Sequence, residues 1–357
     1  MTRPWAFSVY KDAIGSYIQP SISERTPPAS ACCWLHFLEM NLTVDVPDVY
    51  IRHGRQFHRS GSNYGLPNDE RESDRLNDQF QALKLMVVVV VNEGTLGSNY
   101  TAPLPQLNSG EGPKDILDVA TGTGIWIARE FPQARVVGID LSKPGLSYRD
   151  VPGNASFVVG DVTKQFPFGD ASFDVVQMRI APSIAERISV YKEIHRVLRP
   201  EGVIQLVELS PPISRKGHRP PSLDRADQAV ARGGHVHKKD QNKPLLDRDG
   251  RPAYWSIASQ IAPAIRNNPS MWTSVEEKQV AVPIGIWAND EIGQEAGRIM
   301  QRQTVELYNG FHPNLIDIGG MAEDEIDQII SELAEDLKDG SKWQLETHYE
   351  FVWAMRV

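Results

Sequence analysis

Thr121-Gly122-Thr123-Gly124 follows directly on the apolar run Asp115-Ile-Leu-Asp-Val-Ala120, and Ile125-Trp-Ile-Ala-Arg-Glu-Phe begins after it. The first run reads as a buried strand and the last as a helix, so the glycines fall at a strand-to-helix turn. Glycines there let backbone amides approach a ligand closely, and a helix N-terminus favours negative charge. Twenty-two residues past Asp118, the next apolar run ends in Asp140, an acid placed to take both hydroxyls of a ribose. Gly160-Asp161-Val162 ends a third run and stands where an adenine edge would lie. Together they point to a nucleoside-bearing ligand at the carboxyl ends of strands.

The local residues narrow the ligand. A dinucleotide fingerprint needs a third small residue, but Ile127 stands there beside Trp126. No G-x-x-x-x-G-K-S/T occurs, which removes a phosphate loop of that type. S-adenosylmethionine is the remaining common ligand, and Asp118 can attract its ammonium directly or through water. The cofactor-binding candidates are therefore Asp118, Thr121, Gly122, Gly124, Asp140, Leu141, Asp161, Val162 and Met178, with Tyr64 closing over the ligand. Arg179 lies near the donor or serves as a structural ion-pair partner. Gly122 and Gly124 have a plain-turn alternative, Asp118 a loop-bracing one and Asp140 a capping one.

Methyl transfer asks little of side chains, because in-line positioning in a dry pocket supplies most of the gain. A base helps only where the acceptor is a hydroxyl that must lose its proton. Glu208, at the end of a fifth apolar run, and His237, in a polar later segment, are the candidates for base or substrate work. His195 is expected at the surface. His235 and His237 have no evident third ligand, and CxxC and HExxH are absent, so no metal is expected. His312 is a weaker base candidate. Trp272, Trp287 and Tyr308 either line an acceptor pocket or belong to the core.

These residues need a scaffold, and the hydrophobic pattern supplies it. Runs at Asp115–Val119, Arg135–Asp140, Ala155–Asp161, Phe173–Met178 and Val203–Glu208 alternate with helical segments. One of these, Ile184 to Leu198, puts Ile184, Ile188, Tyr191, Ile194 and Leu198 on one face. Alternation of this kind means an α/β fold, a doubly wound, mostly parallel sheet covered on both faces. The expected divisions are a weakly structured extension (1–48), a helical lid (49–112), the ligand-binding core (113–210), a cap insertion (211–311) and a C-terminal return to the sheet (312–357). In the last, Ala322 to Leu337 carries an apolar stripe stopping before Gly340, and Thr347 to Met355 alternates as a final strand. The valine run Val87–Val91 is left open between helix and buried strand.

Composition sets the outer bounds. With 37 Lys+Arg against 46 Asp+Glu, the net charge of −9 disfavours nucleic acid and anionic membranes as partners. The apolar run Leu85–Val91 is far too short to span a bilayer. The first residues lack a signal-peptide core, so export is not expected. Cys32 and Cys33 are adjacent, which gives no disulfide framework and fits a reducing, cytoplasmic setting.

The ordered motifs ILDVATGTG, GID, GDV, FDVVQM and LRPEGVIQLVE resemble those of the class I S-adenosylmethionine-dependent methyltransferases. Upstream, GRQFHRSGSNYGLPNDERESDRLNDQF, together with TGTGIW and IGIWAND, resembles the fungal methyltransferases related to LaeA, the regulator of secondary metabolism. That resemblance implies a seven-stranded, Rossmann-like sheet with lid and cap, S-adenosylmethionine as cofactor and a small-molecule acceptor modified at oxygen or nitrogen. Two alternatives stay open: a nuclear regulator that binds protein partners, and a methyltransferase fold that catalyses a cyclisation or isomerisation. The sequence departs from the family pattern at Phe80, usually His, and at Ala120, often Gly.

Overall fold

Nearly continuous apolar strands can be buried on both faces only inside a sheet with helices on either side. That is the arrangement in the computed structural model, which describes residues 49–58, 64–92, 102–104, 107–123, 126–142, 151–181, 183–184, 187–233, 236–237, 243–244 and 256–357. The 1–48 extension, Gly124 and His235 lie outside the described residues.

A hairpin, β1 (Val49–Arg52) and β2 (Arg55–His58), precedes the long helix α1 (Glu70–Asn92). Asp69 starts that helix by accepting a hydrogen bond from the Glu72 amide at 3.0 Å, with Glu70 and Glu72 complementing the helix dipole. The valine run continues α1, so the helix alternative holds there. The expected all-helical lid thus begins as a β-hairpin.

After the short α2 (Leu107–Gly110) come β3 (Asp115–Val119), α3 (Trp126–Glu130), β4 (Arg135–Asp140), β5 (Ala155–Val159), β6 (Phe173–Arg179), α4 (Arg187–Val197) and β7 (Leu198–Leu209). The two-residue strands β8 (Ile213–Ser214), β9 (Val236–His237) and β10 (Lys243–Pro244) flank α5 (Pro221–Gly233). Then follow α6 (Ala258–Arg266), β11 (Trp272–Ile284), α7 (Glu291–Asp317), α8 (Glu323–Asp336), α9 (Gly340–Trp343) and β12 (Leu345–Arg356).

The main sheet runs β11-β12-β7-β6-β3-β4-β5, seven strands, with β8 added beside β12. The pairs β3–β4, β3–β6, β4–β5 and β6–β7 are parallel, while β12 is antiparallel to both β7 and β11. Strand order reverses between β3 and β6, the switch point at which open α/β sheets leave a crevice beyond the strand ends. One face buries Leu117, Val137, Val176, Ile204 and Val352 against Ile194 of α4 and Ile261 of α6. On the other, Val207, Tyr349 and Phe351 pack with Leu83 of α1, Phe311 of α7 and Leu333 of α8.

Three expectations are corrected. The segment 211–311 is not wholly an insertion, because β11 is the edge strand of the main sheet. Its half TSVEEKQ reads as polar because an edge strand has only one neighbour and leaves alternate charged side chains in water. Ile188 is 51% exposed rather than on the buried face of α4, whose stripe uses Val190, Tyr191, Ile194 and Val197. Gly340 does not stop α8, which ends at Asp336; it opens α9 with its Cα against the Gly285 backbone, where a Cβ would lie 2.6 Å from the Ile286 nitrogen.

Candidate cofactor-binding site

Beyond β3 the chain turns sharply. Ala120 has φ +55° and Gly122 φ +56°, so two of three successive residues occupy the left-handed region. Glycine adopts it readily; alanine does so at a cost of about 1–2 kcal/mol. Just past β6, at the other side of the switch point, Ile180 has φ +47°, an outlier for a β-branched residue. Backbone strain of this kind gathers where a site constrains the chain.

The turn is tied to the next strand by Asp140. Its Oδ2 accepts from the Gly122 amide at 2.8 Å and its Oδ1 from the Leu141 amide at 2.6 Å. Burial raises the carboxyl pKa, and those amides pull against the rise. The Ser142 amide is a third backbone donor to this carboxylate, so of its roughly four acceptor positions about one stays open to a hydroxyl. Thr121 fits under the turn because Gly138 has no side chain: a Cβ there would lie 2.8 Å from the Thr121 methyl and from the Phe157 ring.

Asp118 is 3% exposed. Its Oδ2 accepts from the Thr121 hydroxyl at 2.7 Å and its Oδ1 from Gln177 Nε2 at 2.8 Å. Burial pushes its carboxyl up to about 6, against the pull of Arg179 and of those two hydrogen bonds. Arg179 ends β6, half-buried, with its Cζ 4.9 Å from the centroid of the Phe80 ring on α1. Burial lowers its guanidinium to about 10, with Asp118 and Tyr349 opposing.

Helix α1 covers this end of the sheet. Leu76 would touch a Cβ on Gly122 at 3.6 Å, and Gln79 Nε2 donates to the Tyr349 hydroxyl at 3.2 Å. Glu72 and Arg75, both under 5% exposed, form a buried pair at 2.6 Å. Tyr64 is half-buried within electrostatic reach of Glu72, Arg75 and Asp140, and burial raises its phenol.

The other candidates separate. Asp161 binds the Thr163 amide at 3.0 Å and hydroxyl at 2.6 Å; burial pushes its carboxyl up, but these bonds and Lys164 hold it below the usual range. Val162 is 6% and Met178 1% exposed, both within the core on the face opposite α1. Glu208, expected as a base, is 2% exposed and committed: its Oε1 accepts from Arg187 Nη2 at 2.6 Å and from the Ala181 amide at 3.0 Å. His237 is described only as backbone in β9. His195 is half-buried rather than on the surface, edge-on to Trp272 at 5.4 Å.

Trp272 begins β11, the end of the sheet opposite the glycine turn, so it cannot line an acceptor pocket there. Trp287 donates to the Leu345 carbonyl at 2.8 Å beneath Arg215, and the Tyr308 hydroxyl donates to Asp227. His312 pairs with Asp327 at 3.2 Å. Among the described residues no cluster of His, Cys, Asp and Glu fits a metal, and no helix is long and apolar enough to cross a membrane.

Sequence reasoning missed Gln177, although a signal was present. Gln in FDVVQM sits inside a strand buried on both faces, and a buried polar side chain is informative where a buried Val is not. Glu72, Arg75 and Gln79 had no such signal, since polar residues on a helix normally mark the solvent face.

A strand-to-helix glycine turn, an acid closing the second strand and this strand order define a class I S-adenosylmethionine-dependent methyltransferase. The methyltransferase domain family matches residues 116–202. The chain is 28% identical over 297 residues to methyltransferase pytC of Aspergillus terreus, covering 80% of this chain and 82% of that one. It is 30% identical over 257 residues to the secondary metabolism regulator laeA of Aspergillus fumigatus, covering 70% of this chain and 61% of that one. A solved putative methyltransferase from an antibiotic biosynthesis pathway of Anabaena variabilis matches at 16% identity and a TM-score of 0.40, over 68% of this chain and 90% of that one. The chain is therefore an S-adenosylmethionine-dependent methyltransferase similar to the LaeA-related fungal proteins, and S-adenosylmethionine is its cofactor.

Proposed function

We propose that this enzyme transfers the methyl group of S-adenosylmethionine to an oxygen or nitrogen of a small-molecule secondary metabolite. The observation that carries the reading is Asp140: a half-buried carboxylate tied to the Gly122 amide at 2.8 Å, with acceptor capacity left for a ribose hydroxyl. Asp118 takes the α-ammonium, Thr121, Gly122 and Leu141 shape the adenosine cleft, and Tyr64 closes it. Gly124 joins them from the sequence motif. Asp161 presents its adenine-side carboxylate, with Val162 and Met178 packing behind the ligand rather than against it.

When bound, S-adenosylmethionine supplies a methyl group already activated by its sulfonium. The chain's own residues then bind, orient and exclude water. Helix α1 covers the cleft, Asp118 and Asp140 fix the two ends of the ligand, and the half-buried Ile180 and Tyr64 give the acceptor side an apolar wall. With Glu208 locked to Arg187, no base on β7 is assigned; an amine acceptor that binds neutral attacks with its own lone pair and gives up its proton to water afterwards.

The relatives named as regulators favour a second reading, a methyltransferase that acts through protein partners in the nucleus rather than on a metabolite in the cytoplasm. Incubation with isotopically labelled methyl donor and extracts of producing cells separates them: label in a small molecule supports the first, label in protein alone the second. Calorimetric titration of S-adenosylhomocysteine tests the site itself. Asp140→Ala should weaken binding about ten- to hundredfold, the value of hydrogen bonds to a charged group. Unchanged affinity rejects the ribose assignment.

A further inference from the structure

Residues 64–67 lead into α1, and three of the four, Gly65, Leu66 and Pro67, are buried. Their far end is fixed locally: the Asn68 amide donates to the Gln56 carbonyl at 2.8 Å, and Arg55 pairs with Asp69 at 2.5 Å. Their middle is held from 249 positions away. Asn314, in the last turn of α7 and 3% exposed, donates its Nδ2 to the Gly65 carbonyl at 2.7 Å, and its Oδ1 accepts from Arg52 Nη2. One turn earlier Gly310 makes room, since a Cβ there would lie 2.8 Å from a Leu66 methyl. The residue type follows from the partners. A backbone carbonyl only accepts and a guanidinium only donates, so a buried side chain serving both must carry a donor and an acceptor, as a carboxamide does. Arg52 is itself anchored 3.4 Å from Asp317 at the C-terminal end of α7, where the helix dipole favours a cation. The contact thus specifies the path of residues 64–67 and does more than fill space.

We propose that Asn314 is a positioning residue for the methyl donor: by holding the Gly65 carbonyl, it sets Tyr64 over the adenosine cleft. This rests on the reading of Tyr64 given above and deepens it. Tyr64 directly precedes Gly65, its ring meets the His58 ring edge-on at 5.9 Å, and it lies within electrostatic reach of Asp140. Gly65 has the least steric restraint in the segment, so without a partner for its carbonyl the backbone can turn there and swing the ring away from the ribose end. The Asn314 carbonyl in turn accepts from the Ile318 and Gly319 amides at 2.9 and 3.1 Å. Ordering of Tyr64 by a ligand therefore reaches the end of α7.

The test is an isosteric substitution. Asn314→Asp keeps the acceptor for Arg52 and loses the donor to Gly65. It should weaken S-adenosylhomocysteine about three- to tenfold, the value of one buried hydrogen bond. It should weaken 5′-methylthioadenosine, which keeps the adenosine but lacks the amino acid end, by the same factor. A purely structural Asn314 would lower the unfolding midpoint and leave the affinity of the folded protein unchanged, a result that overturns the proposal. A double-mutant cycle reads the path: in the Tyr64→Ala background, Asn314→Asp should cost less than about a further twofold, and full additivity overturns the proposal. If Tyr64→Ala by itself leaves both affinities unchanged, the reading of Tyr64 fails and this proposal with it. If Tyr64→Ala weakens both ligands and Asn314→Asp neither, this proposal alone fails. Wild-type protein supplies an arm that needs no variant to fold. S-adenosylhomocysteine should slow hydrogen exchange at least about twofold at the Gly65 and Leu66 amides, and likewise at Ile318 and Gly319. Absence of slowing at either pair overturns the proposal.

Discussion

Binding of the amino acid end should depend on pH through Asp118. Burial pushes its carboxyl up to about 6 in the ligand-free protein, while an ammonium is bound by the ionised form. The sign follows: as pH falls through about 6, Asp118 takes up a proton and must lose it again for the ligand to bind. At pH 5, one unit below, about one molecule in eleven is ionised, so affinity should be about tenfold weaker than on the plateau above pH 7. The ligand's own ammonium stays charged throughout that range. Asp140, also raised, contributes its own slope through the ribose. Titrating 5′-methylthioadenosine in parallel measures that slope by itself, and the difference between the ligands isolates Asp118. Calorimetry at pH 5.5 in two buffers of different ionisation enthalpy should also detect release of about three-quarters of an extra proton with S-adenosylhomocysteine. Asp118→Asn should remove the difference. Identical pH profiles for the two ligands in wild type, with no extra proton released, would refute the reasoning.

Three further outcomes are expected. Ala120→Gly should raise stability, by up to about 1 kcal/mol, because release of left-handed strain outweighs the gain in unfolded-chain entropy; a lower denaturant midpoint counts against the strained turn. Gly297→Ala should cost about 3 kcal/mol in thermal unfolding, since its Cβ would run into the Gly285 carbonyl oxygen, where backbone has to move; wild-type stability would show that the contact relaxes freely. Glu208→Gln should lower stability by about 3–5 kcal/mol by stranding the buried Arg187, yet leave S-adenosylhomocysteine affinity of the folded protein within about twofold. A stable variant, or one with selectively lost ligand affinity, contradicts the purely structural role.

The order of strands and helices from Asp115 to Glu208 was legible in the sequence because each strand is short, apolar and followed by turn residues. Hydrophobic periodicity reports burial, and burial is what a parallel sheet imposes on every residue of its central strands. The glycine turn and Asp140 were legible for a related reason: their chemistry depends on neighbours a few positions away. Edge strand β11 was not, because one side of it faces water and its charges imitate a loop. Nor were the buried Glu72–Arg75 pair and the Gln79–Tyr349 hydrogen bond, since their partners lie on the same helix surface that solvent would otherwise occupy, or 270 residues away.

Glu208 marks the same divide most sharply. Local sequence put an acid at the end of a strand that points towards the crevice, and nothing local could reveal that Arg187 would reach it first. Local sequence determined which segments become strand, turn and helix, because those choices follow from side-chain pattern and backbone freedom over a few residues. Which acid keeps open lone pairs and which is consumed by an ion pair was decided by the tertiary structure alone. Charge pairing depends on distance in space, and residues far apart in the chain become neighbours only once the sheet has formed.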